Sequence, residues 1–139
     1  SGFYEVQLAL PNSVVCLASA LAYYDLSTYQ PPAIHVAIPR DDRTLPPEYP
    51  PTRRFSFGER RHRLGVDSVE VEGRAAAIYD REKTICDVIR YRNVLGQDIV
   101  NEAVREYLGA PRRDIDKVLA YARELRMEGP VTTHLRLML

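Results

Sequence analysis

Hydrophobic and polar positions along the chain change their period near residue 80. Before that point the apolar residues come in short runs or alternate, and after it they recur every three to four residues. Period two marks strands and period 3.6 marks helices. Residues 3 to 10 suit a short helix that ends at Pro11. Asn12-Ser13 then supplies turn chemistry before the β-favouring run Val14-Val15-Cys16-Leu17. Ser19 is placed to cap a short apolar helix through Tyr24, and Ala33 to Ile38 reads as a strand that contains His35 and stops at Pro39.

Between Asp41 and Thr52 four prolines, Pro46, Pro47, Pro50 and Pro51, stand among charges, the pattern of an extended surface loop. Arg53 to Phe57 alternates, which puts Phe55 and Phe57 on one face of a strand and Arg54 and Ser56 on the other. A charged turn is expected next. Val66 to Val71 and Ala75 to Tyr79 then flank Glu72-Gly73-Arg74, a hairpin signal because glycine accepts the positive φ of a tight turn.

From Asp80 the pattern is helical. Asp80 caps a helix that carries Ile85, Val88 and Ile89 on one side, and Gly96 suits its end. A second helix over about 98 to 108 aligns Ile99, Val100, Ala103, Val104 and Tyr107. A third over about 114 to 126, capped by Asp114, aligns Ile115, Val118, Leu119, Ala122 and Leu125. Val131 to Leu139 forms a last short helix. Strands followed by a run of helices predict an α+β domain: a small, mainly antiparallel sheet over about 14 to 79, packed with three to four helices over about 80 to 138.

Composition adds limits to this outline. At 139 residues the chain fits a single domain with one core. Its 45% hydrophobic and 27% charged residues are those of a globular protein, and no apolar run reaches the ~18 to 20 residues of a membrane-spanning helix. Ser1-Gly2, with no Met, reads as a cloning remnant, so a piece of a longer protein is expected. Cys16 and Cys86 lie in apolar segments and read as buried thiols suited to a reducing cytoplasm. Net charge is zero, yet 17 of the 19 basic residues are arginine. Guanidinium groups grip phosphate and carboxylate in a way ammonium groups do not.

The candidate chemistry is mostly basic. Arg53, Arg54, Arg60, Arg61, His62 and Arg63, opposed only by Glu59, form either a solvated arginine-rich turn or a surface for nucleic acid or another acidic partner. In the helix after Asp80, Lys83, Asp87 and Arg90 are spaced to form a plus-minus-plus ladder on one ridge. With Arg92 and Asn93 they make a structural or partner-facing surface. Asp67, Glu70 and Glu72 on the hairpin are reminiscent of the clustered acids of metal-dependent nucleases, although no lysine follows them on that strand. His35, His62 and His134 are too scattered for a zinc site, and P-loop, GxGxxG and GxSxG motifs are missing. The helices around Gly109 to Arg113 imitate a helix-turn-helix, but the second begins with Asp114 and Asp116, acids where a recognition helix needs donors.

Three blocks, in this order and spacing, resemble the AbiEi-type antitoxins, transcriptional regulators of type IV toxin–antitoxin and abortive-infection (phage-defence) systems in bacteria. They are Val14-Val15-Cys16-Leu17-Ala18-Ser19-Ala20-Leu21-Ala22, then Ile34-His35-Val36-Ala37-Ile38-Pro39, then Lys83 to Asp98 with Glu102-Ala103-Val104-Arg105. The third is the specific one. The likeness covers roughly residues 5 to 138 and falls on the C-terminal domain of the family, with the N-terminal winged helix-turn-helix expected to be absent from this chain. The resemblance implies a non-catalytic, cytoplasmic regulatory domain without cofactor. It would support operator DNA binding through the N-terminal domain and oppose a nucleotidyltransferase-like toxin without a stable complex, with a homodimer allowed. The alternatives are a nuclease-like enzyme using Asp67, Glu70 and Glu72, or a purely structural dimerisation domain.

Overall fold

Five strands and eight helices make up the α+β fold of the computed structural model, which describes residues 2–139. Helix α1 (Phe3–Ala9) leads into strand β1 (Val14–Val15), helix α2 (Leu17–Tyr23) and strand β2 (Ile34–Pro39). After a long loop come β3 (Thr52–Phe57), α3 (Glu59–Arg63), β4 (Val66–Val71) and β5 (Arg74–Tyr79). The C-terminal part is helical throughout: α4 (Arg81–Arg90), α5 (Arg92–Leu95), α6 (Gln97–Leu108), α7 (Ile115–Glu124) and α8 (Glu128–Met138).

The strands line up in the order β3-β2-β1-β5-β4. Pairs β1–β2 and β4–β5 are antiparallel, while β2–β3 and β1–β5 are parallel, so the sheet is mixed. The β4–β5 hairpin turns through Glu72 and Gly73, both at positive φ, the geometry of a type I′ turn. Parallel pairing of β2 with β3 needs a crossover, and the proline-rich segment 40–51 provides it without a helix.

Alternation along β2 decides which layer each side chain joins. Val36 and Ile38 face α1, where Phe3, Val6 and Leu10 cover them together with Val15, Ala76 and Ile78. Ala37, with Phe55 and Phe57 of β3 and Tyr79 of β5, faces the helices and packs on Ile85, Val88 and Ile89 of α4. Strand β1 has only two residues, so part of the β5 edge beside it lacks a backbone partner. The Gln7 side chain fills that place: its amide donates to Ala77 O at 2.7 Å and its carbonyl accepts from Ala77 N at 2.9 Å. Helix α1 is thereby pinned to the sheet by its polar residue as well as by its apolar face.

Asp80 and Asp114 cap α4 and α7 as expected, each accepting from the backbone N–H three residues on, Lys83 and Lys117. Other boundaries differ from expectation. Helix α2 starts at Leu17 behind Cys16, so Ser19 is not its cap but lies buried in its second half-turn, where its Oγ accepts from His35 N at 2.8 Å. The expected charged turn after Phe57 is helical over Glu59–Arg63. Helix α4 stops at Arg90, and a separate turn of helix, α5, runs to Gly96 at φ 95°. The Arg92 guanidinium, donating to Ile89 O at 2.8 Å, helps to end α4 there.

Helix α4 is the centre of the helical layer. Eight of its ten residues, Glu82 to Ile89, are buried, because α2, α6, α7, α8 and the sheet surround it. Cys16 and Cys86 are free and buried, and burial pushes the Cys86 thiol up to about 12. Among the described residues no helix is long and apolar enough to cross a membrane.

Candidate functional site

Arginines gather where β2 ends and the crossover loop begins. The outer faces of β2 and β3 contribute Ile38, Thr52, Arg54 and Ser56, and the loop contributes Arg40, Asp42, Arg43, Leu45 and Pro46; with Arg53 they line an open groove of about 580 Å³. Arg40, Arg43, Arg53 and Arg54 form no ion pair with any described carboxylate. Two of them are nevertheless held in place. Arg54 Nη1 donates to Thr44 O at 2.9 Å, and the Arg53 guanidinium lies 5.0 Å from the centre of the Phe55 ring. The single acid, Asp42, is kept ionised: the Thr44 hydroxyl and backbone N–H, bonding its carboxylate, hold it below the usual range. Arg40, Arg43 and Arg54 against one anion leave the groove positive, and the Arg53 guanidinium lies on the Phe55 face of the same edge strand.

The basic cluster read from the sequence is thus divided. Arg53 and Arg54 line the groove, whereas Arg60, Arg61 and Arg63 ride on α3 and turn elsewhere. Arg60 reaches Glu124 at 3.9 Å, and Arg63 pairs with Glu59 at 3.0 Å. Arg61 is half-buried with its Nη1 against Met127 Sδ. In their place the fold supplies Arg40 and Arg43, which sequence reasoning missed. The only signal for them was their position, flanking the turn that follows a strand at the head of a proline-rich segment.

Helix α3 is a single turn, held from below by the core. Lys83 Nζ donates to Arg61 O at 2.7 Å and the Tyr79 hydroxyl donates to His62 O at 2.6 Å. These two carbonyls stand at the C-terminal end of the turn, where a cation and a hydroxyl satisfy groups that have no partner inside the helix. The His62 ring nitrogen Nε2 also lies 2.7 Å from Asn12 O.

Lys83 and Asp87 do not form the solvated ladder their spacing suggests. Lys83 Nζ lies 2.9 Å from Asp87 Oδ2, and the two side chains are 0% and 1% exposed. The contact is a close ion pair, and Asp87 Oδ1 has no hydrogen-bond donor of its own. The ammonium also sits 3.7 Å from the centre of the Tyr79 ring and 5.3 Å from that of Phe57. Burial pushes the Lys83 ammonium down and the Asp87 carboxyl up, each opposed by the charge of the other. Arg90 stays at the surface, Arg92 is spent on α4, and Asn93 is exposed. Lys83, Asp87, Arg90, Arg92 and Asn93 therefore make no continuous polar surface.

A second polar lock joins α4 to α7. Tyr107 donates to Glu82 Oε2 and Tyr121 to Asp80 Oδ2, both at 2.6 Å, while Lys117 approaches Asp80 at 3.3 Å and Glu82 at 3.7 Å. Burial and these carboxylates raise both phenols. The lock takes in Lys117 and, through its N–H donating to Tyr107 Oη at 2.6 Å, Asp114: this is an αα-hairpin end built for packing.

The carboxylates of the hairpin stay apart. Asp67 and Glu70 are exposed and three residues from each other on one strand, which sends them to opposite faces, and Asp67 accepts from its neighbour Ser68 N at 2.8 Å. Among the described residues no group of three or more His, Cys, Asp and Glu is arranged to hold a metal ion. The convergence that a nuclease-like site needs is not made by Asp67, Glu70 and Glu72. His35 is buried, accepts from Ala18 N at 3.3 Å through Nδ1, and is lowered to about 4 by burial and by the charge of Arg53. It is a satisfied core histidine.

What the fold and this surface define is an α+β domain with a groove in which arginines outnumber the one acid, Asp42. Compared with models of known families the chain matches none, and a comparison with curated proteins likewise finds no match.

Proposed function

We propose that this chain is a non-catalytic regulatory domain of the AbiEi-like antitoxin kind, serving a transcriptional repressor and opposing a nucleotidyltransferase-like toxin. Its own share in nucleic-acid binding runs through the groove of Arg40, Arg43, Arg53 and Arg54. The observation that carries this reading is that Arg40, Arg43 and Arg54 line one groove with no carboxylate in ion-pair contact, while the Arg53 guanidinium lies over Phe55 on the other face of the same edge strand. Among the described arginines only Arg60, Arg63, Arg74 and Arg123 have a carboxylate within 3.9 Å, so what distinguishes Arg40, Arg43 and Arg54 is that they gather around a single acid, Asp42. Such a gathering costs self-repulsion, and a phosphate backbone relieves that repulsion on binding.

The test is a salt titration of binding to labelled duplex DNA. Weak binding is expected at low salt, with log affinity falling against log salt at a slope of roughly −3 to −4 for three to four phosphates neutralised. The double variant R40A/R43A reduces that slope by about two, whereas R60A/R63A leaves it nearly unchanged. No binding at the lowest salt would overturn the nucleic-acid part. Co-expression with a nucleotidyltransferase-like toxin encoded beside the gene tests the antitoxin part, and failure of the chain to restore growth would overturn it.

A further inference from the structure

We infer that the free edge of β3 receives an extended, acidic segment of another protein, which joins the sheet as a further strand. This inference does not depend on the nucleic-acid reading proposed above. Its first ground is the direction of the backbone groups. Pro51 O accepts from Ile34 N at 2.8 Å, and Ile34 stands opposite Thr52 in the parallel pairing. Successive residues of a strand turn their backbone groups to alternate sides. Arg53 and Phe55 therefore face β2, while Thr52, Arg54 and Ser56 turn their N–H and C=O groups outward. Strand β3 ends the sheet on this side, and no described residue bonds those outward groups. The crossover loop passes on the α1 side of the sheet, where Thr44 O meets Arg54 and Pro50 lies beside Gly2, so it does not pair with the edge. An unpaired strand edge is a template for main-chain hydrogen bonds, and extended peptides use it by adding a strand.

The second ground is charge. Arg53 and Arg54 are exposed neighbours whose side chains leave opposite faces of the strand, Arg53 over the Phe55 ring and Arg54 towards Thr44. Neither has a carboxylate in ion-pair contact among the described residues. A strand laid along this edge presents its own side chains to the two faces in turn, so two successive acids meet the two guanidinium groups. Opposite charges across paired strands stabilise the pairing, and like charges directly opposite destabilise it.

The third ground is that a second copy of this chain is a poor occupant. Two β3 edges paired antiparallel bring arginines together. The other edge strand, β4, carries Asp67 and Glu70, but Gly65 O bonds Asp80 N, which turns the Ser68 N–H outward, and Asp67 Oδ1 already accepts it at 2.8 Å. Joining β3 of one copy to β4 of the next also leaves a free edge at each end, and such head-to-tail contacts grow open chains rather than closed oligomers.

The experiment follows amide exchange in the isotope-labelled chain by NMR. The probe is a capped peptide of about ten residues that alternates valine and threonine around two adjacent glutamates, compared with the same peptide carrying lysines instead. The glutamate peptide is expected to slow exchange at the Arg54 and Ser56 amides by about tenfold or more, and the lysine peptide to leave them unchanged. Arg54→Glu is expected to weaken peptide binding by about tenfold. Ser56→Pro removes one outward N–H and no bond to β2, and should weaken binding about as much while circular dichroism shows the native fold. Slowing by both peptides alike, binding that leaves the two amides unchanged, or no binding of the glutamate peptide at low salt would each overturn the inference. Protection of the same amides in the chain alone, rising with protein concentration and lost in Asp67→Lys, would also overturn it, since β4 of a second copy would then be the occupant. Duplex DNA that slows these amides where the glutamate peptide does not would overturn it too and leave the edge to nucleic acid.

Discussion

Lys83 and Asp87 face each other across one turn of α4, 2.9 Å from Nζ to Oδ2, with neither side chain reached by solvent. Taking two charges out of water costs several kcal/mol per ion, and the pair survives because each ion is the other's main compensation. Asp87→Ala leaves a buried ammonium without its counter-ion, and a loss of about 3 to 5 kcal/mol in urea unfolding is expected. The double variant K83M/D87L should recover most of it, to within about 2 kcal/mol of the parent, the remainder reflecting the lost bond to Arg61 O. A single substitution costing less than about 1 kcal/mol would show that the two charges do not depend on one another.

His35 makes the fold sensitive to acid. Its value falls from 6.5 to about 4 on folding. Its contribution is fully present above pH ~6.5 and is lost as pH falls from there through about 4, at up to ~1.4 kcal/mol per pH unit. His35→Gln keeps an acceptor for Ala18 N without a titrating ring. Between pH 7 and 4.5 the variant is expected to lose less stability than the parent; parallel curves would remove His35 as the cause.

Gln7 replaces a missing length of strand. Its two hydrogen bonds to Ala77 close the part of the β5 edge that the short β1 leaves open. Gln7→Ala is expected to cost about 1 to 3 kcal/mol and to raise the exchange rate of the Ala77 amide. Gln7→Glu restores the acceptor and not the donor, placing a carboxylate against Ala77 O, so it should be no better than alanine. Unchanged exchange at Ala77 in both variants would refute the role.

Gly65, between α3 and β4, lies against Lys83 of α4. Its φ is +77°, and a Cβ there would lie 2.6 Å from Lys83 Cβ. Gly65→Ala is therefore disfavoured twice, by the backbone conformation and by contact with α4, and a loss of more than about 2 kcal/mol is expected. Gly73 has a similar φ of +78° with nothing within 4 Å of an added Cβ. Gly73→Ala should cost only about 1 kcal/mol, from backbone strain alone. Equal losses at the two positions would show that contact with Lys83 adds nothing.

Much of this protein could be read along the chain. The change of period near residue 80, the Gly73 turn, the Asp80 and Asp114 caps and the apolar stripes of α6 and α7 depend on neighbours a few residues apart, and such interactions are written locally. The inward direction of Phe55 and Phe57 followed from alternation alone. Those features define an α+β fold.

Three things were decided only when distant segments met. Lys83 and Asp87 have the same spacing whether α4 lies at a surface or at the centre of five packed elements, so their burial came from what surrounds the helix. The residues after Phe57 became helical because Lys83 and Tyr79, far along the chain, satisfied the carbonyls of Arg61 and His62. The arginine groove arose because β3 returned parallel to β2, bringing Arg54 to the same groove as Arg40 and Arg43 across a twelve-residue loop, turning Arg53 onto Phe55 and leaving Arg60, Arg61 and Arg63 to α3. Local periodicity specifies elements and their inward faces; which charged residues end up buried, paired or left open depends on long-range packing, which no short window of sequence contains.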